Sequence, residues 1–88
     1  MKRIIPTGHL NGTAESELDK QYQQMLDGID VMLRAISDAT PHGRDYYVQG
    51  TYAYEAAREQ HQRRWQTLVE LKAEITEDFL AFLQSTGR

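Results

Sequence analysis

The stretch LDKQYQQMLDGIDVMLRAISDA, residues 18–39, decides the fold. Its apolar positions are Leu18, Tyr22, Met25, Ile29, Met32, Ile36 and Ala39, at steps of 4, 3, 4, 3, 4 and 3. A half-buried strand alternates with a period of two, whereas these steps are the heptad of a helix that packs along one seam. Leu26 and Leu33 widen the stripe on one side. Upstream, Thr13 carries the hydroxyl of an N-cap, and Glu15, Glu17 and Asp19 place negative charge where the helix dipole favours it. Downstream, Thr40-Pro41 stops the helix, because the residue before a proline is pushed out of the helical region. The sequence thus predicts a first helix over 13–40, about 40 Å long. Gly28 lies inside it at a cost of up to ~1 kcal/mol relative to alanine, either tolerated or useful for close helix approach.

Residues 1–12 contain Pro6, Gly8, Asn11 and Gly12, which punctuate rather than propagate regular structure. Lys2-Arg3-Ile4-Ile5 has the composition of a short extended piece with no strand to pair with. Residues 41–50, PHGRDYYVQG, form a connection longer than the roughly 2–8 residues that close most helical hairpins. Thr51 then offers a cap for a second helix over 51–85, about 50 Å long. Its stripe runs Ala57, His61, Trp65, Leu68, Leu71, Ile75, Phe79 and Phe82, close to the helical period. Ser85-Thr86-Gly87 ends it. The expectation is one all-α domain over 1–88, a long antiparallel helical hairpin. Two helices share only one interface, so Leu26, Leu33, Leu80 and Leu83 need a further partner. A two-fold dimer forming a four-helix bundle, or a higher homo-oligomer, is the simplest source.

Composition removes whole classes of function. The chain has 88 residues, no cysteine and a net charge of −3. There is no thiolate metal cage or disulfide framework. The longest apolar run, Phe79-Leu80-Ala81-Phe82-Leu83, is far short of the ~20 residues that span a bilayer. Met1-Lys2-Arg3 leads into too few apolar residues for a signal peptide, so a cytoplasmic protein is expected. Thirteen acidic against ten basic residues disfavour nucleic acid and anionic membranes as partners. No phosphate-binding glycine–lysine loop, dinucleotide fingerprint or zinc HExxH pair is present. His9, His42 and His61 share no ligand spacing, and Ser16, Ser37 and Ser85 have no glycine elbow. Glu70, Glu74, Glu77 and Asp78 read as a solvated helical face. These absences lead us to expect neither an enzyme nor a bound metal or cofactor.

Binding chemistry is better represented. His42, Arg44, Tyr46 and Tyr47 crowd the connection. Arginine offers a fork for phosphate or carboxylate, and tyrosine a stacking face with a polar tip. Helix two starts beside Gly50-Thr51 with free backbone N–H groups, a natural seat for an anion. Arg58, His61, Arg63 and Arg64 follow within a few turns, so the local charge opposes the net charge. Structural alternatives stand beside each: His61 as a satisfied core histidine, Arg58 and Arg64 paired with Glu55, Glu59 or a neighbouring subunit, Tyr46 and Tyr47 as a lid on the bundle end. Trp65 and Tyr54 read as core. In an antiparallel hairpin the loop carrying His9 and Asn11 lies at the end opposite the connection. A pocket using both then forms only between subunits, from His42, Arg44, Tyr46, Tyr47, His61 and Arg64 of one chain and His9 and Asn11 of another.

The segments His9-Leu10-Asn11-Gly12-Thr13, Pro41-His42-Gly43-Arg44-Asp45-Tyr46-Tyr47 with Gly50, and Glu59-Gln60-His61 followed by Arg64 resemble a group of small accessory proteins of tailed phages and prophages. The resemblance covers nearly the whole chain. It implies a compact protein made in an infected bacterium that counters host defence. One route is to sequester a cyclic-nucleotide-like signalling molecule in a helical oligomer. The other is to occupy a host protein through the apolar flanks and acidic C-terminal face of helix two. No residue role carries over from the resemblance. A DNA-binding regulator is disfavoured by the charge and by the lack of a short helix-turn-helix pair.

Overall fold

A computed structural model of the chain describes residues 3–7, 14–50 and 52–86. Two helices account for most of them: α1, Glu15–Asp38, and α2, Ala53–Ser85. They run antiparallel, and among the described residues there is no strand. Between them the connection winds through two single 3₁₀ turns, Gly43–Asp45 and Tyr47–Gln49.

Both helices begin without a side-chain cap. Ala14 is the N-cap of α1, its carbonyl accepting from the N–H groups of Glu17 and Leu18 at 3.0 Å each. The expected cap, Thr13, lies outside the described residues, as does Thr51. The N-cap of α2 is Tyr52, so this helix starts two residues later than the sequence predicts. Gly50 accounts for the delay. Its φ of +117° turns the chain into α2 through a conformation that side-chain-bearing residues rarely adopt. At the other end of α1, Ala39 N–H donates to the Ala35 and Ile36 carbonyls, and the Thr40 hydroxyl donates to Ser37 O at 2.6 Å. Pro41 then prevents another turn.

The two helices meet along a narrow line. Tyr22, Ile29 and Phe82 are the buried hydrophobic residues among those described, and Phe82 has no exposed surface. The Tyr22 ring stacks on Phe79 at 5.3 Å and tilts against Phe82 at 5.7 Å. Burial pushes the Tyr22 phenol above its ordinary pKa, and the nearby Asp78 carboxylate adds to the rise. Halfway along, Lys72 Nζ donates to Asp30 Oδ1 at 2.7 Å. Near the junction His61 meets Thr40. These pairs fix one register from end to end.

The packing departs from the heptad reading. Met25 and Met32 are 45% and 49% exposed, and Ala39 is exposed too. The line facing α2 is instead Leu18, Tyr22, Leu26, Ile29, Leu33 and Ile36, all buried or half-buried. A single partner helix covers an arc rather than a strict seam, so the leucine flank turns inward and the methionine flank outward. On α2, likewise, Leu68, Ile75, Phe79 and Phe82 face α1, while Leu71 at 41% lies on one open flank and Trp65 at 37% on the other. Trp65 is therefore no core residue.

The acidic face also differs from the expectation. Arg3 reaches across the chain to Glu77 and Asp78 at 2.8 Å and to Glu74 at 3.9 Å. A hydrogen bond to Glu77 raises the guanidinium pKa, desolvation opposes it, and the charges of Asp78, Glu77 and Glu74 add to the rise. Three of the four carboxylates assigned to solvent thus tether the N-terminal segment, and Ile5 and Pro6 are half-buried behind the tether.

Candidate functional site

The junction end of the hairpin holds a groove. Pro41 steps the chain away from the axis of α1, leaving space between its last turn and the first turns of α2. The groove is lined by Ser37, Thr40 and Pro41 on one side and by Arg58, His61, Gln62 and Trp65 on the other, around about 320 Å³. The α2 residues stand at i, i+3, i+4 and i+7, which places them on one face.

Each side chain has a definable role. His61 Nε2 lies 3.4 Å from the Thr40 hydroxyl oxygen. That hydroxyl has one hydrogen and already donates it to Ser37 O. The hydroxyl's remaining capacity is as an acceptor, so a ring N–H of His61 suits this long contact and the other ring nitrogen is left for a further partner. Arg58 lies over the Tyr54 ring at 5.7 Å, and Tyr54 leans on Tyr46 with centroids 6.4 Å apart. This aromatic stack holds the guanidinium plane without using its donors. Among the described residues Arg58 makes no ion pair, so the pairing with Glu55 or Glu59 weighed from the sequence is not formed. The Trp65 indole presents a partly exposed face beside it.

The residues singled out from sequence separate into groups. His61 enters the groove. Tyr46 is half-buried against Tyr54 at the end of the hairpin, while Tyr47, in the second 3₁₀ turn, is 77% exposed. The lid reading thus fits the first tyrosine and not the second. Tyr47 shares a shallow hollow with Gly43, Gly50 and Tyr54. His42 and Arg44 are exposed on the connection. Arg64 is exposed and does not line the groove; three residues on from His61, it stands about 60° round the helix from it, on the side away from Gln62. His9 and Asn11 lie outside the described residues.

Sequence reasoning missed Arg58 and Trp65 as site residues. The signal was present in the spacing 58, 61, 62 and 65, but Arg58 read as one of a basic cluster or an ion-pair partner, and Trp65, on the apolar stripe, read as core. Charge placement reinforces the site. Residues 34–66 carry Arg34, Arg44, Arg58, Arg63 and Arg64 against Asp38, Asp45, Glu55 and Glu59. Residues 14–33 carry Glu15, Glu17, Asp19, Asp27 and Asp30 against one lysine. The hairpin is electrically polarised along its length, with the groove at the basic end.

Among the described residues no group of three His, Asp or Glu side chains is arranged to hold a metal ion. No helix there is long and apolar enough to cross a membrane. Comparison with family models, curated proteins and solved structures finds no match to the chain.

Proposed function

We propose that the protein is a non-enzymatic binding protein for a small anionic ligand bearing a planar ring, of the nucleotide type. The observation that carries this is the groove in which Arg58, its donors unpaired among the described residues, stands beside the partly exposed Trp65 and the His61 ring. An arginine fork suits phosphate, an indole suits a stacked base, and Gln62 and His61 supply edge hydrogen bonds. The seven lining residues come from one chain, so the groove needs no second subunit for its own walls. Arg44 and the exposed Tyr47 lie on the same end of the molecule and extend the cationic, aromatic surface. The biological role that fits is sequestration of a signalling nucleotide in an infected bacterium, an anti-defence sponge. Self-association of the hairpin into a four-helix bundle belongs to the same proposal.

Trp65 is the sole tryptophan, so the test is direct. Cyclic di- and trinucleotides and ADP-ribose derivatives at ~100 μM are titrated against the intrinsic fluorescence, with thermal shift in parallel. A ligand at 100 times its Kd stabilises the fold by about 2.7 kcal/mol. Binding quenches the indole, raises Tm, and is lost in Arg58→Ala. No response to any of these compounds overturns the reading. The alternative, a protein-binding inhibitor, draws on the exposed Val69 and Leu80 of α2. It draws less on the acidic face than the sequence implied, because Arg3 already occupies most of that face.

A further inference from the structure

Met25, Gly28, Met32 and Ala35 follow one another on α1 at steps of 3, 4 and 3, the spacing of a helix–helix seam. They form the flank that α2 leaves open. Met25 and Met32 are nearly half exposed, and a Cβ built on Gly28 meets nothing within 4 Å. Val31, 57% exposed, borders the seam on its outer edge, and Leu71 lies across it on α2. At 100° per residue the charged neighbours Asp27, Asp30 and Arg34 all point more than about 100° away from the seam. In a chain that is 26% charged, a stripe this free of charge is a surface made for contact.

We infer that this seam pairs with itself in a second copy of the chain, across a two-fold axis at the level of residue 30 of α1. This rests on the self-association included in the proposed function and specifies its face and register. The order large, small, large, small is self-complementary under that axis. Met32 stands over Gly28 of the second copy, and Met25 over Ala35, so each knob meets a small residue. A parallel pairing instead sets methionine on methionine and glycine on glycine. The antiparallel register also lays the acidic 14–33 stretch of one hairpin toward the junction end of the other, so the two polarised hairpins run head to tail. The four positions span about 15 Å of α1, so the contact also takes in Val31 and Leu71 beside them to approach the ~800 Å² per copy of a standard interface. Trp65 and Gln62 lie on the opposite side of the hairpin, and the groove stays open.

Sedimentation equilibrium of the full chain tests the proposal, with three proteins compared at equal concentrations. Wild type is a dimer of twice 10.2 kDa. Gly28→Met gains helix propensity and, within one chain, enters open space. It keeps its helical circular dichroism yet sets methionine against Met32 of the second copy, and its dimer dissociates at least tenfold more readily. The double variant Gly28→Met with Met32→Gly exchanges knob and hole and returns to the dimer. A wild-type monomer at 100 μM overturns both this proposal and the self-association behind it. A wild-type dimer with Gly28→Met equally dimeric, or a double variant that stays dissociated, overturns the seam alone. Ligand quenching of Trp65 is read separately and depends on neither result.

Discussion

Replacing Phe82 with alanine is the sharpest check on the hairpin. Phe82 is fully buried, with Tyr22 on one side and the turn carrying Phe79 below. A phenylalanine buries ~150–250 Å², which at ~25 cal/mol per Å² corresponds to about 4–6 kcal/mol of transfer free energy. Measured large-to-small substitutions of this kind cost ~3–5 kcal/mol, including the cavity left behind. A chain of this size has a total stability of roughly 4–13 kcal/mol. Phe82→Ala is therefore expected to remove about 4 kcal/mol, a large share of what holds the two helices together. Leu80, two residues earlier and 53% exposed, is the internal control. Leu80→Ala loses only part of its transfer term and leaves no cavity, about 1 kcal/mol. Urea unfolding followed by circular dichroism at 222 nm, at fixed protein concentration, measures both. Equal losses at the two positions, or a loss below about 1 kcal/mol for Phe82→Ala, would refute the register that places Phe82 rather than Leu80 against Tyr22.

Two further expectations concern the tether and the buried phenol. Arg3→Ala frees the N-terminal segment from Glu74, Glu77 and Asp78, and the backbone order parameter of Ile5 drops from about 0.85 to below about 0.6. An unchanged value shows that the carboxylates do not hold the segment. Because the folded-state pKa of Tyr22 is raised, its contribution to stability is complete below the unfolded value near 10 and is lost as pH rises through the folded value. Between pH 9 and pH 11 wild type should lose stability faster than Tyr22→Phe, as read by Tm; parallel curves contradict the burial.

The helical nature of the chain was legible because its cause is local. The period of residues 18–39 and 57–82, the proline after Thr40 and the run of turn formers at 41–50 set helix, break and helix within two or three residues of where they occur. Which flank of each stripe turned inward was not legible. Both Leu26–Leu33 and Met25–Met32 satisfy the same helical spacing, and only the position of α2 distinguishes them. The groove was half legible: the basic, aromatic character of the junction could be read from residues 42–65. Its actual walls depend on the step at Pro41 and on the stack from Tyr46 through Tyr54 to Arg58, which joins residues eight and four positions apart.

The sequence by itself determined two helices, their approximate ends, and a charge distribution basic at the junction and acidic elsewhere. These follow from backbone propensity, side-chain periodicity and the order of residues, which need no long-range contact. Only the tertiary structure decided that Arg3 bridges to residues 74–78, that Trp65 is surface rather than core, and that Met25 and Met32 face outward. The first depends on the path of the N-terminal segment back over α2, and the other two on the rotation of one long helix against another. A rotation of a few tens of degrees costs nothing locally, and the packing of Tyr22, Ile29 and Phe82 fixes it.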